Sequence, residues 1–153
     1  MSHNKHTYSF EVFKALVELE IKRIERYKKE KNFSIAFLYA PNLAKSVKYF
    51  KDIDKAVEIS FLIRTGIRST DVVSEVEDDF VFLFFPETSK SEAQKVIERI
   101  KKALPELEII EGIATYPDDG TTEYELFNKL VKIMNEKLIP VIELATEKKD
   151  EKV

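Results

Sequence analysis

Glu75-Val76-Glu77-Asp78-Asp79 packs four carboxylates into five residues between two apolar runs. Carboxylate oxygens at that density are hard ligands that suit a divalent cation. The same charges also suit a solvated turn that keeps a hairpin edge from pairing with another chain. A second charged stretch, Lys22 to Lys31, is rich in Lys and Arg and could meet nucleic acid or a membrane surface. Glu20 precedes it and Glu25 and Glu30 interrupt it, as on a solvated helix face. Other chemistries are excluded by composition. There is no Cys, so disulfides, thiolate metal sites and a Cys nucleophile are ruled out. His3 and His6 both fall in the first six residues, so no His-based triad or metal site is expected.

The elements that must carry these residues alternate along the chain. With 153 residues the chain has room for one domain and a tail. Hydrophobic residues make up 44% and charged residues 35%, which is not the composition of a disordered chain. Twenty-five basic against 28 acidic residues leave a net charge of −3, the wrong sign for a general nucleic-acid binder. No apolar run approaches the ~18 residues of a membrane span, and no secretory leader is visible, so a cytoplasmic domain is expected. Abundant Lys and Glu, a single Gln and only three Gly point to heat stability.

Residues 10–31 read as a helix, with Phe10, Phe13, Val17, Ile21 and Ile24 as its apolar stripe and Glu18–Lys22 and Glu25–Lys29 as outer i,i+4 pairs. Phe33 to Ala40 is almost continuously apolar, as in a strand buried on both faces, and Pro41 ends it. A second helix is expected from about Asp52 to Arg64. Asp71 to Val76 and Phe80 to Phe85 read as a hairpin, its second strand closed by Pro86. Phe80, Phe82, Phe84 and Phe85 are read as core, with Phe82 and Phe84 on one face. Ser89-Lys90-Ser91-Glu92 is a capping box opening a third helix that stops before Pro105. Glu108 to Thr115 is a strand, followed by a turn at Tyr116 to Gly120. Thr122 to Glu125 repeats the capping pattern and opens a helix to about Lys137. Leu138 to Leu144 reads as a last strand, which Pro140 places at a sheet edge.

After the first helix the order is βαββαβ, then helix and strand. That is an α+β fold with a ferredoxin-like core, an added N-terminal helix and an added C-terminal helix-strand, packed on an antiparallel or mixed sheet. Right-handed crossovers put the core helices on one face. The same core serves nucleotide-polymerising palms, nucleotidyl cyclases and small binding domains, so it does not decide function.

The stretch from Ile67 to Ile100, IRSTDVVSEVEDDFVFLFFPETSKSEAQKVIERI, resembles the centre of a GGDEF domain, the diguanylate cyclase family. EIKRIERYKKEKNFSIAFL resembles that family's helix and first strand. EGIATYPDDGTT resembles its G-I-A-x-Y-P-x-D-G segment, and LIPVIEL stands at its closing strand. The resemblance covers residues 10–144, leaving 1–9 and 145–153 as flexible tails.

The resemblance implies a cyclase whose parts have been replaced. Joining two GTP molecules needs metal-held triphosphates, and acidic residues hold the metals. Aligned from Asp71 without a gap, the signature positions hold Glu77, Asp78, Asp79, Phe80 and Val81; moved by one, Phe80 falls on the family Phe and Asp78-Asp79 on its acidic pair. Both signature glycines are replaced in either register. Tyr39 and Pro41 stand where the first strand has its metal-binding Asp-x-Asp, and Asp52 or Asp54 is the nearest carboxylate in the following loop. The family's D-x-L-T-G-L and A-D-x-A-L-Y segments are also absent. No catalytic residue, metal or cofactor is therefore expected, with Mg²⁺ entering only with residual GTP binding or cyclase activity.

What the resemblance leaves in place is the family's inhibitory, cyclic di-GMP-binding site. Arg68-Ser69-Thr70-Asp71 matches its R-x-x-D, and Arg99 matches its second arginine. Arginines grip phosphates and guanine edges bidentately and stack on bases. The same three residues are also ordinary at a helix end, a strand start and an exposed helix face. Two functions follow: a non-catalytic signalling domain that senses cyclic di-GMP through Arg68, Asp71 and Arg99, with a homodimer where a stacked ligand bridges two sites; or an interaction or dimerisation module for other signalling proteins that binds no nucleotide.

Overall fold

The structure is a computed structural model that describes residues 7–27, 31–41, 63, 67–68, 70–74, 79–105, 108–137 and 139. The elements are β1 (Thr7–Tyr8), α1 (Phe10–Tyr27), β2 (Phe33–Tyr39), β3 (Val72–Ser74), β4 (Phe80–Pro86), α2 (Lys90–Ala103), β5 (Ile110–Tyr116) and α3 (Glu123–Glu136). The strands form one mixed sheet in the order β1-β3-β4-β2-β5. β2 is antiparallel to both β4 and β5, β3 is antiparallel to β4, and β1 adds parallel to β3. This is the expected α+β arrangement.

Period-two alternation splits β2 and β4 between two cores. Phe33, Ile35, Phe37 and Tyr39 of β2 and Phe80, Phe82 and Phe84 of β4 pack against α1 and α3, through Phe13, Val17, Ile21, Ile24, Leu126, Phe127, Leu130 and Met134. Ala36, Leu38, Val81, Leu83 and Phe85 pack on the other face against Ala93, Ile97 and Ile100 of α2. Every residue of β2 is buried, as its unbroken apolar run requires. Of the expected second helix, Ile63 is helical and buried in the second core; the rest of 52–64 lies outside the described residues, as does Leu138 to Leu144 apart from Ile139. The added helices α1 and α3 thus cover the face that α2 leaves open, giving the sheet helices on both sides.

Local chemistry sets the element ends. Ser89 caps α2 with a complete capping box: its hydroxyl accepts from the Glu92 amide at 3.2 Å, and the Glu92 carboxylate accepts from the Ser89 amide at 2.8 Å. Thr122 forms only half of the expected second box. Its hydroxyl accepts from the Glu125 amide, but the Glu125 carboxylate reaches one residue further, to the Thr121 amide at 2.8 Å. β5 runs one residue past its expected end, to Tyr116. Gly112 faces Phe37 across the β2–β5 ladder, and the missing Cβ makes room for that ring.

Candidate functional site

Two places on this frame carry the residues singled out above. The first is the end of the sheet where β2 stops and β4 begins. Tyr39 and Phe80 are register partners there, with ring centroids 4.9 Å apart. Phe80 also packs edge-on against Phe37 at 5.7 Å and stacks on Phe82 at 6.0 Å. Both Tyr39 and Phe80 are buried in the first core, while Val81 points into the second. The Asp79 carbonyl accepts from the Ala40 amide at 3.1 Å, which ties the two strand ends together. The position that the resemblance pairs with a metal-holding carboxylate is thus occupied by an aromatic side chain packed on an aromatic neighbour. Glu75, Glu77, Asp78, Asp52 and Asp54 lie outside the described residues. Among the described residues no group of three or more acidic or His side chains stands close enough to hold a metal ion.

The second place is the approach to β3. Arg68 and Asp71 are brought together: the Arg68 amide donates to Asp71 Oδ2 at 2.8 Å, and Arg68 Nη2 stands 3.3 Å from Asp71 Oδ1. The Asp71 side chain is 1% exposed and that of Arg68 is 56% exposed. Arg68 Nη2 also donates to the Pro86 carbonyl at 2.7 Å and to Thr88 Oγ1 at 2.6 Å. The guanidinium therefore fastens the approach to β3 onto the link between β4 and α2. Thr88 and the Pro86 carbonyl were not legible as its partners, because nothing in the local sequence marks a contact across 20 residues. Arg99 lies on the exposed side of α2, nine residues past Lys90, which is ~14 Å along the helix axis at ~1.5 Å per residue. The structure unites Arg68 with Asp71 at the start of α2 and sets Arg99 further along the helix.

Two cations of the basic run meet acids of α1 itself, and Lys31, beyond the helix, meets Glu87 after β4. Lys22 pairs with Glu18 at 3.6 Å, Arg23 with Glu20 at 2.6 Å, and Lys31 with Glu87 at 2.5 Å. That is the solvated-face alternative. Two further carboxylates are held on purpose. Burial would raise Asp119, but hydrogen bonds from Lys90 and the Thr115 amide, with the charges of Lys90 and Lys129, hold it below the usual carboxylate range. Burial would likewise raise Glu111, but Gln94, Lys101 and Lys137 keep it below its ordinary value.

Among solved structures, the GGDEF domain of TpbB (YfiN) from Pseudomonas aeruginosa matches with a TM-score of 0.71 and 15% identity, over 85% of this chain and 83% of that one. A DGC protein from Thermotoga maritima matches with a TM-score of 0.67 and 20% identity, over 88% and 96%. The GGDEF domain of DgcB from Caulobacter crescentus, solved in complex with c-di-GMP, matches with a TM-score of 0.63 and 10% identity, over 82% and 81%. The chain has the fold of a GGDEF domain. No protein-family model and no curated protein matches the sequence. No helix among the described residues is long and apolar enough to cross a membrane.

Proposed function

We propose that this GGDEF-fold domain makes no cyclic di-GMP and serves as a non-catalytic signalling module. The observation that carries the proposal is the packing of Tyr39 on Phe80, which puts two buried aromatic rings where the resemblance expects a metal-holding carboxylate beside a glycine turn. A phenol sunk in the core has neither the charge nor the exposure to hold a metal on a triphosphate. The test is incubation of the purified chain with GTP and Mg²⁺ or Mn²⁺. No cyclic di-GMP is expected, and product formed in proportion to protein concentration overturns the reading.

A second observation favours a ligand for the module. Arg68 is half-exposed, and its orientation is fixed by Asp71, Pro86 and Thr88. Its half-exposed guanidinium can turn outward and exchange those contacts for a bidentate grip on a phosphate. Under this reading cyclic di-GMP binds at Arg68, which the buried Asp71 orients, and Arg99 contributes from α2. A structure with that fold and bound c-di-GMP, the DgcB domain, supports it. Isothermal titration with cyclic di-GMP decides between this and the interaction-module alternative: heat of binding at micromolar ligand supports the first, and none at hundreds of micromolar leaves the second.

A further inference from the structure

The polar end of the second core contains a directed chain of hydrogen bonds. Ser34 of β2 and Thr115 of β5 are register partners, and their hydroxyl oxygens are 2.9 Å apart. The Ser34 hydroxyl also donates to the Thr88 carbonyl at 2.9 Å. A hydroxyl has one proton to give. With that of Ser34 committed to Thr88, Thr115 must be the donor to Ser34. The order is therefore Thr115 to Ser34 to Thr88. All three side chains are buried, and hydrogen bonds in such a dry setting polarise one another.

Each end of this chain meets a charged group. Thr88 Oγ1 accepts from Arg68 Nη2 and itself donates to the Pro86 carbonyl at 2.8 Å. At the other end the Thr115 amide donates to Asp119 Oδ2 at 2.8 Å, and the same oxygen holds Lys90 Nζ at 2.7 Å. Thr88 and Lys90 flank Ser89, the N-cap of α2. The circuit closes on itself: α2 is pinned at its start through Thr88 on one side and through Lys90 on the other.

We infer that Arg68 and Asp119 are coupled through Thr88, Ser34 and Thr115, so that a change in what Arg68 grips alters the Pro117–Gly120 turn. Beside that turn lies an open cleft of about 630 Å³, lined by Asp118, Asp119, Thr121, Asn128 and Lys132. Drawing Arg68 outward removes a donor from Thr88 Oγ1 and from the Pro86 carbonyl. The Thr88 peptide then re-aims, and its carbonyl is the acceptor on which Ser34 and Thr115 depend. Thr115 in turn supplies the amide that orients Asp119. The coupling stands without any ligand. Its use as a readout of cyclic di-GMP occupancy rests on the ligand reading above.

The test is a double-mutant cycle by urea unfolding of the whole chain in 1 M NaCl, where the ~3 Å Debye length removes direct attraction between exposed charges. The variants are Arg68→Met, Asp119→Asn and the pair. The unfolding constant of the pair is expected to depart from the product of the single effects by threefold or more, and a smaller departure, the additivity of independent sites, overturns the inference. Repeated in a Ser34→Ala background, the departure is expected to vanish; persistence at threefold or more overturns the path. Should Ser34→Ala fail to fold, amide spectra of Arg68→Met decide. Movement of the Thr115 and Gly120 resonances is expected, and unmoved resonances overturn the coupling. Titration with cyclic di-GMP separates the two readings, because a coupled cycle without binding removes only the ligand reading, and binding with an additive cycle removes only the coupling.

Discussion

Arg68 closes on Asp71 from both ends of the residue, its backbone amide 2.8 Å from one carboxylate oxygen and its guanidinium 3.3 Å from the other. An arginine matched to a ligand motif is expected to be dispensable to the fold, since exposed arginines contribute little to stability. The geometry reverses that expectation, because the partner is buried and the same nitrogen also serves Pro86 and Thr88.

Arg68→Ala is therefore expected to lower stability by about 1 kcal/mol, a charged hydrogen bond discounted for the half-exposed guanidinium. Asp71→Ala is expected to cost more, about 2 kcal/mol, because the Arg68 amide and guanidinium both lose an acceptor. Urea unfolding at pH 7 measures both. Under the ligand reading Arg68→Ala also weakens cyclic di-GMP by roughly ten- to a hundredfold, and Arg99→Ala by less.

Restoring the signature glycines is not expected to restore catalysis. Glu77→Gly with Asp78→Gly leaves Tyr39 packed on Phe80, so the β2 position still carries a phenol in place of a carboxylate. The double variant should form no cyclic di-GMP from GTP and Mg²⁺, as judged by chromatography. Phe80→Ala, by contrast, should cost about 3–5 kcal/mol, because it opens a cavity between β2 and β4.

Gly112→Ala should destabilise by about 1–3 kcal/mol through overpacking. The added Cβ would stand 2.9 Å from Ile133 and closer still to the Phe37 ring. Thermal unfolding is the check, at about 2–4 °C lost per kcal/mol for a chain of this size.

Stability should fall on the acid side. Asp119 and Glu111 are both held below their ordinary values in the folded state. A carboxylate with a depressed folded pKa contributes fully above its unfolded pKa, about 3.9 for Asp and 4.3 for Glu, and the contribution is lost as pH drops through the lower folded value. Urea midpoints should therefore be level near neutrality and decline below about pH 4.5, with a shallower decline in Asp119→Asn.

The strands were legible because their apolar runs are long and bounded, FSIAFLYA by Pro41 and FVFLFF by Pro86, whereas two strands apolar on both faces do not declare the register in which they pair. Ser89 and Glu92 likewise announced their helix. The site was legible only as residue types. R-x-x-D brings Arg68 and Asp71 together because three residues can span one turn, whereas Thr88 and Pro86 meet Arg68 only through the sheet. Ser34 and Thr115, 81 residues apart, looked like isolated polar interruptions in apolar strands, and only the β2–β5 register makes them a pair. That α1 and α3 pack on the face opposite α2 was not legible either, since an amphipathic stripe does not say which side of a sheet it will cover.

β2 lends side chains to both cores along its whole length, and β4 beside it does the same. Neither layer can peel away while the other persists, because each would strip one flank of the same seven residues. Among the described residues these central strands are covered on both sides, and the β2 amides are expected to be among the last to exchange. Under the signalling reading, a signal crossing this sheet would travel by small displacements of packed strands rather than by partial melting.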